Sequence, residues 1–242
     1  MIKCMISEMQ KLKRTFSKKL IFIAPLATLF ICGILGAGKT FQNGAYNWWY
    51  TMFLPGALSI ICGTIVDKDK KLKYHELFTL PFSKNTVWIG KIIACSFMYL
   101  ISSIIFVIGI ILGGFIFGQI MSFSQIIEGM IVLFITFLWQ IPLCMMLCGK
   151  FGMVSTVLIN MVANVIGVGG FSDSANWYLY PFSIPSRLMC SILNILPNGF
   201  PVEKGSFLLN TNVIIPGIII SLVCFIGITA LTGMWFNNQE GI

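Results

Sequence analysis

Residues 92–117 read IIACSFMYLISSIIFVIGIILGGFIF, twenty-six consecutive positions without a charged side chain. At 1.5 Å per residue a helix of that length reaches about 39 Å, against roughly 30 Å for the hydrocarbon core of a bilayer. The stretch therefore predicts a membrane span that tilts or projects beyond the bilayer. Five more uncharged apolar runs lie on either side of it: 20–38, 49–66, 130–148, 151–170 and 213–236. Each is long enough to cross, and the six together hold just over half of the 242 residues. Only 10% of the chain is charged and 57% is hydrophobic, whereas soluble domains carry about 25% charged residues. These figures exclude an ordinary soluble enzyme. They predict an all-α polytopic membrane protein, with residues 20–242 forming a six-helix transmembrane domain.

The cations are unevenly spread. Six Lys and Arg fall in residues 1–19, six in the loop 67–91 and one, Lys150, between the fourth and fifth runs, which makes thirteen of sixteen. Lys39, Arg187 and Lys204 lie in the alternate connections. With six spans this asymmetry predicts cytoplasmic N- and C-termini, because cations gather in cytoplasmic loops. The net charge of +8 thus reports topology and needs no nucleic-acid partner.

Residues 1–19 carry Ile2, Met5, Ile6, Met9, Leu12 and Phe16 at spacings of three and four, with Lys11, Lys13, Arg14, Ser17 and Lys18 between them. This pattern predicts an amphipathic interfacial helix lying on an anionic leaflet. The apolar run after it is longer than a signal-peptide core and lacks a small-residue cleavage site, so cleavage is not expected. Trp48, Trp49 and Tyr50, at the end of a short outer connection, read as an aromatic belt at the interface. Gly109, Gly113, Gly114 and Gly118 form overlapping small-residue pairs suited to close helix packing. The outer loop 171–212 is too long for a passive connector, and its segment 186–196 predicts a short apolar helix. Of eight cysteines only Cys190 falls in an outer loop, where it is expected to react with impermeant thiol reagents; no metal-type spacing is present.

Little here supports chemistry. Gly33–Thr40 matches the phosphate-binding pattern GxxxxGK[ST], but it closes an apolar span instead of joining a strand to a helix. The single histidine, His75, has no nucleophile or second histidine nearby. The six runs contain no ionisable Asp, Glu, His, Lys or Arg, which argues against an ion-driven carrier. They do hold amides: Gln140 before Pro142, and Asn160 and Asn164 on one helical face. These suit either hydrogen bonding between helices or a polar substrate path, to which the outer-loop aromatics Trp177, Tyr178 and Tyr180 could contribute. In the loop 67–91, Leu77, Phe78 and Leu80 are apolar side chains rimmed by charge. They read as a docking surface for another protein, or as a segment folded back on the membrane.

This layout resembles the ABC-2 type transporter permeases. The stretch Lys73-Tyr-His-Glu-Leu-Phe-Thr-Leu-Pro-Phe-Ser-Lys84 and then Trp88-Ile-Gly-Lys91 is similar to that family's coupling segment: a Glu-led short helix, Leu-x-x-x-Pro, and a lysine opening the third span. More narrowly, Asn47-Trp-Trp-Tyr50 leading into Leu54-Pro-Gly56, with Leu196-Pro-Asn-Gly199 in the outer loop, resembles permease subunits of lantibiotic self-protection transporters. The resemblance implies a type V exporter fold in the bacterial plasma membrane. It implies a pair of permease subunits, this chain and a homologous or identical second one, working with two copies of a separate ATPase that binds ATP and Mg. Tyr74, His75, Glu76, Leu77, Phe78, Leu80 and Pro81 would then couple the ATPase to the spans, and the complex would expel a lantibiotic-like peptide. This chain would itself be neither catalytic nor a cofactor binder. Other readings are an exporter of a drug, lipid or different peptide, and a non-transporting peptide sensor.

Overall fold

The computed structural model describes residues 2–12, 15–36, 40–71 and 83–239. They form helices without a β-sheet among the described residues; one isolated bridge, Ile195 with Pro201, is the nearest approach to a strand pair. A short N-terminal helix, Ile2–Lys11, precedes six helices long and apolar enough to cross a membrane. These are span one (Phe16–Leu35), span two (Phe41–Lys70), span three (Lys84–Phe117), span four (Phe123–Phe151), span five (Met153–Phe171) and span six (Thr211–Asn237). Helices are the form such a chain must take, since within lipid every backbone group has to be satisfied inside its own segment. The hydroxyls follow the same rule: Thr28, Ser59, Thr136, Ser221 and Thr232 each donate to the carbonyl four residues back.

Spans two and four form the centre, with 67% and 61% of their apolar windows buried, against 11% for span six. Span six exposes Ile215, Ile219, Val223 and Ile226, a stripe suited to lipid tails. The glycine stripe of span three packs within the chain. A Cβ on Gly109 would lie 2.1 Å from Leu29 of span one, and one on Gly113 would lie 2.1 Å from Phe41 of span two. Span four breaks near Leu138, where Pro142 removes a helical donor. Gly152, at φ +86, makes the tight turn into span five.

Several helix ends differ from those read in the sequence. The loop 67–91 is much shorter, because span two continues through Lys71 and span three begins at Lys84, capped by Ser83. Span three therefore has 34 residues. The outer connection 39–48 is helical from Phe41 onward, and Trp49 and Tyr50 are buried in the core instead of forming an interfacial belt. There the backbone widens into a π turn over Trp49–Phe53, just before Pro55, whose missing N–H cannot continue an α-helical ladder. The amphipathic segment is also shorter than 1–19. It ends at Lys11, and Phe16 opens span one. Its buried face is Cys4, Glu8 and Leu12, which docks on the protein, while Ile6 stays exposed.

The long outer loop packs down on the bundle. Its helix Ile184–Leu193 is buried at every position and is held at Gly217 by Leu188 and Ile184, and at Gly129 by Leu193. Cys190, expected to be reachable, is 0% exposed. Its thiol donates to the Ser186 carbonyl, and burial pushes it up to about 12 while Arg187 pulls the other way. The helix can be buried whole because its polar side chain Arg187 finds partners inside, at Ser191 Oγ and the carbonyls of Leu208 and Phe207, while its apolar residues gain by leaving water.

Candidate functional site: an ionic frame at the basic end

Three elements converge where the cations gather. Glu8 projects from the N-terminal helix, Asp69 from the last turns of span two, and Lys91 from the third turn of span three. Lys91 is 1% exposed. Its ammonium lies 2.7 Å from Glu8 Oε2 and forms a second ion pair with Asp69. Lys11 closes the set, 2.9 Å from Glu8 and 3.2 Å from Asp69. Lys68 Nζ donates to the Lys11 carbonyl. Two carboxylates face two ammoniums, so the cluster is neutral, the condition under which buried charge is tolerated. Burial works against the charge on Lys11, but Asp69 and Glu8 outweigh it and hold its ammonium pKa above the ordinary lysine value.

The N-terminal helix can come this close because span three offers Gly90 beneath it: a Cβ there would lie 2.9 Å from Cys4 Cβ. On the other side of span three, Trp88 Nε1 donates to Thr232 Oγ1 at 3.1 Å, and the indole stacks on Phe236 at 4.7 Å. Lys84 Nζ donates to the carbonyls of Asn237 and Gln239. The start of span three is thereby bound to the end of span six as well as to the N-terminal helix. Asp69 and Lys91 flank the loop between spans two and three. Glu8, on the N-terminal helix, is linked to Lys91 directly and to Asp69 through Lys91 and Lys11.

The sequence-predicted coupling residues Tyr74, His75, Glu76, Leu77, Phe78, Leu80 and Pro81 lie outside the described residues. The amides are described, and they meet. Gln140 and Asn164 exchange two hydrogen bonds, at 3.3 and 3.2 Å, between spans four and five. Asn160 Nδ2 donates to the Pro55 carbonyl and to Ser59 Oγ of span two. All three amides are buried. The aromatic trio is divided: Trp177 is buried, Tyr180 donates to the Ala163 carbonyl at 3.1 Å, and Tyr178 is 46% exposed.

At the opposite end, the two stretches Asn47–Tyr50 and Leu196–Gly199 come together. Asn47 Nδ2 donates to the Pro197 carbonyl at 2.6 Å and to Tyr50 Oη at 3.0 Å. Beside them a crevice of about 250 Å³ opens between span one and the outer loop, lined by Cys32, Leu35, Trp48, Asn198, Phe200 and Pro201 among others. Gly33–Leu35, in the phosphate-loop look-alike, are the last turn of span one.

Sequence reading missed the frame. One signal was available: Glu8 is the only acidic residue before Asp67, and it shares a helical face with Cys4 and Leu12. An acid on an apolar face needs a buried cation opposite. Arg187 was missed in the same way. It is buried, donating to Ser191 Oγ and to the carbonyls of Leu208 and Phe207.

Among the described residues, six helices long and apolar enough to cross a membrane, a docked amphipathic helix and a buried ionic cluster at one end define a multi-pass membrane component. The family described as ABC-2 family transporter protein matches residues 4–170, from the N-terminal helix through span five, and the chain belongs to that family. Membership makes it the membrane part of a transporter and implies an ABC ATPase partner. No curated protein and no solved structure matches the chain.

Proposed function

We propose that the chain is the permease subunit of a bacterial exporter that clears a lantibiotic-type peptide from the membrane. Two copies of a separate ATPase drive it, and a second permease subunit, identical or homologous, completes it. Its termini and basic end face the cytoplasm, where the ATPase sits. The observation that carries this reading is the ionic frame on both flanks of the loop 72–83. Leu77, Phe78 and Leu80 dock in the ATPase, Tyr74, His75, Glu76 and Pro81 shape the docking segment, and the frame passes its movement into span three and the N-terminal helix. The meeting of Asn47–Tyr50 with Leu196–Gly199 supports the outer crevice as the place where peptide is first met, with Trp177, Tyr178 and Tyr180 on the same side. Gln140, Asn160 and Asn164 would line the path only in a state that parts spans two, four and five, because at rest Gln140 bonds Asn164 and Asn160 bonds span two.

The test is Phe78→Asp in cells that carry the whole transporter. The variant should reach the membrane but lose both ATPase co-purification and protection against the peptide. Retention of both overturns the docking assignment. Protection against an unrelated drug without protection against the peptide overturns the substrate class and leaves the docking assignment standing.

A further inference from the structure

The N-terminal helix docks on span three through Cys4, Glu8 and Leu12, and this leaves a gap on its span-one side. Ile6, Met9 and Leu12 of that helix, Ile21 and Phe22 of span one, and Met98 and Ile101 of span three line a groove of about 380 Å³. Its wall is almost wholly apolar, and its mouth carries Lys18 and Gln10. Met98 and Ile101 lie seven and ten residues past Lys91, so the floor sits about 10 to 15 Å along span three from the ionic frame. That is hydrocarbon depth, beneath a charged rim.

Among the described residues the mouth is positive, because Lys18 is its charged group. Lys18 and its neighbour Lys19 are exposed, and neither has a hydrogen-bond or ion-pair partner among the described residues. Two of the acids described at this end, Glu8 and Asp69, are buried and already matched by Lys11 and Lys91. An apolar slot at membrane depth offers water nothing to bond, and it is open to the bilayer along Ile6 and Phe22, both about half exposed.

We propose that this groove is a discrete binding site for an anionic glycerophospholipid of the leaflet on the basic side. One acyl chain lies against Ile21, Met98 and Ile101, and the phosphate lies at Lys18. Charge complementarity selects this occupant: a zwitterionic lipid would fill the slot equally well, but its own headgroup cation would offset the attraction of its phosphate for the Lys18 ammonium. The inference rests on membrane-family membership alone and does not depend on what is exported.

The experiment is native mass spectrometry of the full chain in detergent, titrated with phosphatidylglycerol or with phosphatidylcholine of the same acyl chains. A lysine at the membrane surface contributes about fivefold to anionic lipid binding, so phosphatidylglycerol should bind at least about fivefold more tightly. Lys18→Gln should remove about fivefold of its affinity and leave phosphatidylcholine unchanged. Met98→Trp, which fills the floor, should weaken both lipids. Should that buried change disturb folding, Ile6→Glu at the exposed mouth should weaken phosphatidylglycerol selectively. Equal binding of the two lipids by the unaltered chain would mean annular lipid only and overturn the proposal. Phosphatidylglycerol binding that survives both Lys18→Gln and Ile6→Glu would overturn it too.

Discussion

Replacing Lys91 with Met removes the more deeply buried of the two cations that touch both carboxylates while keeping most of the side chain's apolar volume. Glu8 and Asp69 would then share only Lys11, whose side chain is 25% exposed, and the cluster would change from neutral to singly negative. Breaking a buried ion pair from one side costs about 3–5 kcal/mol. Because Lys11 still reaches both acids, at 2.9 and 3.2 Å, the lower end applies, about 3 kcal/mol. At 1.4 kcal/mol per factor of ten this raises the undocked population of the N-terminal helix about a hundredfold. Cys4, buried under that helix, reports the event. Its alkylation by a maleimide, quantified on the Cys4 peptide, should accelerate about a hundredfold in Lys91→Met. Adding Glu8→Gln restores neutrality between Asp69 and Lys11, so the double variant should cost at least about 1 kcal/mol less than the sum of the singles. Because the Lys11 pKa is raised, its share of the tether is complete below the ordinary lysine pKa of 10.5. It is lost only as the pH climbs through the still higher folded value. If Cys4 labels at the unaltered rate in Lys91→Met, or the two substitutions simply add, the frame does not hold the helix.

Three further outcomes follow from named contacts. Gly90→Val places a side chain where Cys4 Cβ already approaches, so it should release the N-terminal helix with no change of charge, again read by Cys4 alkylation. Gln140→Leu and Asn164→Leu should each lower thermal stability in detergent by about 1 kcal/mol. Together they should cost less than their sum, since the double change leaves neither amide of the pair without its partner. Arg187→Met removes the charged bonds to the carbonyls of Phe207 and Leu208, which keep only Asn210 N–H and Ser191 Oγ, and should cost about 1.5–3 kcal/mol. It should also turn Cys190 from unreactive to labelled by impermeant thiol reagents in intact cells, because those bonds tie the helix that carries Cys190 to residues 207–208.

Much of this protein was legible one segment at a time. The run 92–117 and its five counterparts announce helices by themselves, because in lipid an apolar segment has no other way to satisfy its backbone. Pro142 marks the break in span four, and Gly152 marks the turn after it. The expected helix in the outer loop is present, and the amides of Gln140, Asn160 and Asn164 bond between helices, one of the two roles the sequence left open.

What local reading could not supply is which partner a side chain meets across the bundle. Glu8, Asp69 and Lys91 are separated by tens of residues, and each alone resembles an ordinary solvated charge at a helix end. Their burial follows from the packing of three helices at one point, permitted by the missing side chain of Gly90. Hydropathy placed the ends of spans two and three at the first charged residue, yet both helices run on, because ion pairing removes the cost of carrying Asp69 and Lys91 inward. Trp49, Tyr50 and Cys190 show the converse: their chemistry suits an interface, yet tertiary packing buries them, Trp49 by stacking on Phe106 of span three. Composition and periodicity determined that the chain crosses the membrane six times. Tertiary packing decided which charges are paired, which cysteines are sealed and which groove is left open, since those depend on distances between segments that no single segment encodes.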